Sequence, residues 1–217
     1  MNLEQARFNM IEQQIRPWDV LDPVVLDLLK KVPREDFVPL QYAGLAFADL
    51  EIPLGHGQSM LSPKLEARLL QALELGKHDR VLEIGTGSGY MTALLATLAG
   101  HVVSVDCVAE FTAQARQTLM RQGIANVTLA TGDAAHGFGE DGLFDVIILT
   151  GSVEVLPLAF EQSLAVGGRL LAVVGQVPVM AAKLIRRVDE EVFRRDVLLE
   201  TCIPPLINTP RAQRFHF

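Results

Sequence analysis

Three glycines at alternate positions, Gly85, Gly87 and Gly89, constrain this 217-residue chain more than any other feature. Before them, Arg80 to Ile84 reads as a short buried strand, and after them Met91 to Ala99 reads as an apolar helix. Strand, glycine turn and helix open a nucleotide-binding βαβ unit. Glycine serves where a ligand must approach the backbone or where φ is positive. The helix N-terminus then offers free N–H groups to a polar ligand. The dinucleotide fingerprint would need a glycine where Tyr90 stands, which disfavours a dehydrogenase. Glu83 at the strand end would repel a pyrophosphate and suits a ligand with an ammonium or sulfonium group.

This acid-tipped glycine pattern resembles the first motif of S-adenosylmethionine-dependent methyltransferases. The rest of the chain extends the βα alternation. His101 to Asp106 reads as a second strand ending in an acid, about twenty residues past the glycines, where such units place a carboxylate for the ribose hydroxyls. Ala109 to Arg121 reads as a helix and Asn126 to Ala130 as a third strand, followed by Gly132-Asp133-Ala134. Asp133 is placed to accept from an adenine amino group. Phe144 to Leu149 forms a fourth strand with Thr150 at its carboxyl end, where open parallel sheets bind ligands. A helix over Leu156 to Leu164 leads to strands at Arg169 to Val174, Lys183 to Val188 and Val192 to Leu199, with residues 200–206 continuing the last. The expected fold is α/β: a Rossmann-like, doubly wound, mostly parallel sheet of about seven strands with an antiparallel edge element.

The N-terminal third reads as a helical extension. Apolar residues at helical spacing run to Pro17, which pushes Arg16 towards extended geometry. Asp22 caps a second helix that has Pro23 at its first position. Residues 41–63 read as irregular, and Lys64 to Leu75 as a third helix. We expect one domain over residues 1–217, with 1–75 covering the site and 76–217 forming the cofactor-binding core. The hydrophobic fraction of 49% suffices for a sizeable core. A net charge of −7 without a basic segment argues against nucleic acid, and no apolar run has membrane-spanning length. The expectation is a soluble cytoplasmic protein. Cys107 and Cys202 form neither a metal-ligand pattern nor a disulfide framework. His56 and His136 read as loop residues, Trp18 as a packing anchor, and nothing in the sequence sets the oligomeric state.

Three further stretches narrow the class. Val32-Pro33-Arg34-Glu35-Asp36-Phe37-Val38-Pro39, Ile52-Pro53-Leu54-Gly55-His56-Gly57-Gln58 and Gly132-Asp133 accompany the glycine turn. Together they resemble the protein-L-isoaspartate O-methyltransferase family over roughly residues 20–175. The resemblance implies methyl transfer from S-adenosylmethionine to the α-carboxyl of isoaspartyl residues in damaged proteins. It assigns Glu83, Gly85, Thr86, Gly87, Gly89, Asp106, Asp133 and Ala134 to the cofactor; Thr150 joins them by its place at the carboxyl end of the fourth strand. The family has glycine at the Ala134 position.

The active-site stretch departs from the family. Gly57-Gln58-Ser59-Met60-Leu61-Ser62-Pro63 aligns so that the family's active-site serine falls on Leu61. Ser59 takes the family's threonine position and Ser62 its glutamine position, so Ser62 and Ser59 are the catalytic candidates. Gly151-Ser152-Val153-Glu154 also replaces an alanine-rich stretch. A carboxylate is already a competent nucleophile at neutral pH, so alignment and water exclusion suffice. Two alternatives stand beside the isoaspartyl reading. One is a methyltransferase acting on another, small-molecule acceptor. The other is a non-catalytic S-adenosylmethionine-binding module.

Overall fold

The computed structural model describes residues 2–138 and 142–211; the end of the chain beyond Arg211 lies outside them. Helix α1 (Leu3–Asn9) is capped by the Asn2 side chain, which accepts from Glu4 N at 3.0 Å. It runs on as a π-helical stretch, Met10–Ile15, that buries Met10, Ile11 and Ile15. Arg16 is helical (φ −57°, ψ −42°), not extended. The local preference before Pro17 yields to a 3-10 turn, Arg16–Trp18, closed by Asp19 N donating to Arg16 O. Helix α2 (Pro23–Lys31) starts at Asp22, whose carboxylate accepts from Val24 N at 2.8 Å.

Residues 41–63 are more ordered than their glycines and prolines suggest. Strands β1 (Ile52–Gly55) and β2 (Gln58–Met60) form a hairpin. His56 and Gly57 at its tip both have positive φ, the conformation that two-residue hairpin loops favour. Helix α3 (Pro63–Leu73) follows, turning its buried leucines inward.

The core sheet comprises β3 (Arg80–Ile84), β4 (His101–Asp106), β5 (Val127–Thr131), β6 (Phe144–Val153), β7 (Leu164–Gln176), β8 (Val179–Arg187) and β9 (Phe193–Glu200). Its order is β5-β4-β3-β6-β7-β8-β9; the first five strands run parallel and the last two are antiparallel. Strand β9 stops at Glu200. Residues 203–206 leave it and bridge to the end of β6, with Leu206 N donating to Ser152 O at 2.9 Å.

Both sheet faces are apolar because both are covered. Val81, Val102, Val146 and Leu171 pack under α2, α3, α4 (Tyr90–Leu98) and α5 (Ala109–Arg121). Leu82, Ile84, Val103 and Ile147 face the other way, with Phe160 of the short helix α6 (Leu158–Gln162). The chain winds outward from β3 to β5, then returns to β6 on the other side of β3. That reversal leaves a crevice at the carboxyl ends of β3 and β6.

Candidate active site

The crevice is floored by the ends of four parallel strands. Gly85 follows β3, Asp106 ends β4, Asp133 and Ala134 follow β5, and Thr150 lies within the far half of β6; all five line the cleft. Gly85 has φ +99°, and an added Cβ would lie 2.3 Å from Thr150 Oγ1. The floor therefore stays bare backbone. Thr150 Oγ1 locks this contact by donating to Gly85 O at 2.6 Å and Ile84 O at 3.0 Å.

Asp106 organises the turn as well as lining the cleft. Its Oδ2 accepts from Gly87 N and its Oδ1 from Val108 N, both at 2.9 Å. A carboxylate has about four acceptor sites, so two remain for a ligand diol. Asp133 accepts from Ala135 N at 3.0 Å and from Asn208 Nδ2 at 2.8 Å. These two bonds hold its carboxyl below the ordinary aspartate range. Val105, Phe111 and Ala134 provide apolar walls between the two acids.

Gly87 also lines this cleft, whereas Glu83, Gly89 and Thr86 lie off it. Glu83 is fully buried under α4, where it accepts from Thr92 Oγ1 at 2.5 Å. Burial raises its pKa to about 8 and its Oε1 has no hydrogen-bond partner. Strand alternation is the reason: Leu82 and Ile84 share one face, which puts Glu83 on the opposite one. The carboxylate expected beside the ligand is thus a buried carboxyl supporting the turn from beneath. Gly89 has φ +83° and lies where a Cβ would meet Ala115 Cβ at 2.8 Å, so it serves the close packing of α4 on α5. Thr86 pairs with Ser104 at 2.6 Å and lines a smaller inner pocket that adjoins the cleft.

That inner pocket divides the catalytic candidates. Ser59 lines both it and the cleft, whereas Ser62 lines neither and stands at the N-cap of α3. Leu61 lines the inner pocket, and its carbonyl accepts from Arg34 at 2.6 Å. The hairpin roofs the site. Leu54 approaches Gly87, His56 meets Phe111 edge-on at 5.6 Å, and Gln58 Nε2 reaches Pro205 O at 3.2 Å. Sequence reasoning missed Leu54, Phe111 and Leu206 as lining residues. Phe111 sits near the start of a helix that follows a recognised strand and could have been found; Leu206 carries no local signal.

A bare glycine floor, a diol-accepting Asp106 and an apolar slot ending at Asp133 fit a nucleoside-bearing ligand. Fold and cleft together define a Rossmann-like methyltransferase. The family profile described as protein-L-isoaspartate(D-aspartate) O-methyltransferase matches residues 5–209. The chain belongs to that family. It is 38% identical to the protein-L-isoaspartate O-methyltransferase of Methanoculleus marisnigri, covering 94% of this chain and 92% of that one. It is 37% identical to that of Geobacter metallireducens, covering 91% and 92%. Among solved structures it resembles a Plasmodium falciparum protein-L-isoaspartate O-methyltransferase bound to S-adenosyl-L-homocysteine. The TM-score there is 0.78 at 20% identity, over 95% of this chain and 98% of that one.

Proposed function

We propose that this protein transfers the methyl group of S-adenosylmethionine to the carboxyl group of isoaspartyl residues, in cytoplasmic repair of damaged proteins. The observation that supports this most is family membership over residues 5–209 combined with a cleft whose donors and acceptors suit a nucleoside. In this reading Asp106 accepts from the ribose hydroxyls, and Asp133 with the backbone around Ala134 meets the adenine. Gly85 and Gly87 let the amino-acid arm lie on the backbone. When bound, S-adenosylmethionine supplies an electrophilic methyl on sulfur. The chain's own contribution is alignment and exclusion of water. The hairpin roof and Leu206 close the cleft from two sides, and Ser59 stands where cleft and inner pocket meet.

Asp106→Ala is expected to weaken S-adenosylhomocysteine binding by about 1–3 kcal/mol, because charge-assisted hydrogen bonds to the ribose are lost. Unchanged affinity by calorimetry would refute the ribose assignment.

Radiolabelled methyl transfer to a synthetic isoaspartyl peptide, with the aspartyl peptide as control, tests the activity. Labelling of the isoaspartyl peptide alone is the expected result. Leu61→Ser is expected to raise that labelling by restoring a hydroxyl to the inner pocket. A second reading, transfer to a different acceptor, draws on Leu61, which cannot donate to a carboxylate. No labelling by protein shown to bind S-adenosylhomocysteine would favour it.

A further inference from the structure

We propose that Glu51 selects the acceptor: productive substrates carry a lysine or arginine beside the reacting residue, and its cation pairs with Glu51. This rests on the isoaspartyl reading above. Ser59 and Thr150 are the two hydroxyl side chains shared by the cleft and the inner pocket. Both have committed their protons. Ser59 Oγ donates to Glu51 Oε2 at 3.2 Å, and Thr150 Oγ1 donates to the Gly85 and Ile84 carbonyls. Leu61 has no proton to give.

Arg34 and Lys64 are engaged elsewhere. Arg34 is buried against Glu66. Lys64 pairs with Asp49 at 2.7 Å and lies 4.2 Å from the centroid of the Trp18 ring. An acceptor carboxylate placed at Ser59 would therefore meet oxygen lone pairs, with the Glu51 carboxylate one hydrogen bond further out. S-adenosylmethionine brings a sulfonium to the reacting centre, but among the described residues no side-chain cation pairs with the Glu51 carboxylate behind Ser59, and a cation on the substrate would.

Glu51 is placed to receive it. It lines a groove of about 840 Å³ that adjoins the cleft at Leu206 and is bounded by Gly175–Val177, the segment 203–209 and a second acid, Glu154. Arg211 lines the same groove, yet Glu51 forms no ion pair among the described residues. The volume admits a short stretch of peptide, and Glu51, hydrogen-bonded to Ser59 of the cleft, suits a cationic side chain next to the reacting carboxyl. A cation on Glu51 also weakens its hold on the Ser59 proton. Ser59 can then turn and donate to the acceptor carboxylate, so the flanking cation both neutralises the corner and supplies the missing hydroxyl donor.

The test uses isoaspartyl peptides that differ in one flanking residue, lysine or glutamate, on either side of the reacting residue. The wild-type protein is expected to favour the lysine peptide by about tenfold or more in kcat/KM at low salt. Glu51→Gln should abolish the preference, and Glu51→Lys should invert it. Equal use of the two peptides by the wild type, or a preference that survives Glu51→Gln, overturns the proposal while leaving the isoaspartyl reading intact. If neither peptide is labelled by protein that binds S-adenosylhomocysteine, both fall.

Discussion

Arg34→Ala is expected to cost about 3–5 kcal/mol of stability, the usual effect of breaking a buried ion pair from one side. Arg34 is 1% exposed and holds four groups together. It forms an ion pair with the equally buried Glu66, donates to Ala46 O at 2.9 Å and to Leu61 O at 2.6 Å, and lies 5.0 Å from the Tyr90 ring centroid. Truncation would strand a carboxylate and two carbonyls away from water. The loss also reaches the site, because the Leu61 carbonyl is the tether that sets the inner-pocket loop.

The pH dependence of this variant follows from Glu66. Burial raises its pKa from 4.5 to about 7, against the lowering effect of Arg34. Without Arg34 the folded-state pKa rises further. A carboxyl raised in the folded state loses stability as pH climbs from its unfolded pKa towards its folded one. Arg34→Ala should therefore be weakest at alkaline pH and partly recover near pH 5. Urea denaturation at pH 5 and pH 8 measures this. Arg34→Met combined with Glu66→Leu should regain part of the loss, since it removes the stranded carboxylate but leaves the Ala46 and Leu61 carbonyls without their donor. A single-variant loss below about 1 kcal/mol at pH 8 would show that the pair is not the clamp described here.

Gly85→Ala is the second large effect. The new Cβ would sit 2.3 Å from Thr150 Oγ1 and 3.2 Å from Leu206 Cδ2, on a residue whose φ is +99°. Backbone strain and overpacking each cost about 1–3 kcal/mol. The sheet ends would be pushed apart, and the cleft floor would gain a methyl where the ligand's arm is to lie. We expect S-adenosylhomocysteine affinity to fall at least about a hundredfold, alongside a stability loss of about 2–5 kcal/mol. Thr150→Ala in the same chain should recover stability more than affinity, because it removes the clash with Oγ1 but not the methyl on the floor. Wild-type affinity in Gly85→Ala would mean that the ligand does not lie over this turn.

Much of the scaffold was legible because its signals are local. Strands β3 and β4 and helix α5 span the residues that apolar runs and turn residues marked out, and Asp22 caps α2 as its position before Pro23 indicated. The hairpin over residues 52–60 was not legible. Its strands pair over only a few residues, and Pro53, Gly55 and Gly57 look like loop residues when the pairing is unseen. Leu206 and Asn208 were also out of reach, since they join Gly85 and Asp133 from the far end of the chain.

The sequence alone determined the order of the core-sheet strands and their helices, the glycine turn, and the acids that end β4 and follow β5. Those depend on residue type and spacing along a continuous segment. The tertiary structure decided which way each polar side chain faces and what it meets. It put Glu83 beneath the turn instead of beside the ligand, left Ser62 outside the pocket, and gave the proton of Ser59 to Glu51. Such outcomes depend on which segments close over which strand ends, and that is settled by packing between residues far apart in the chain.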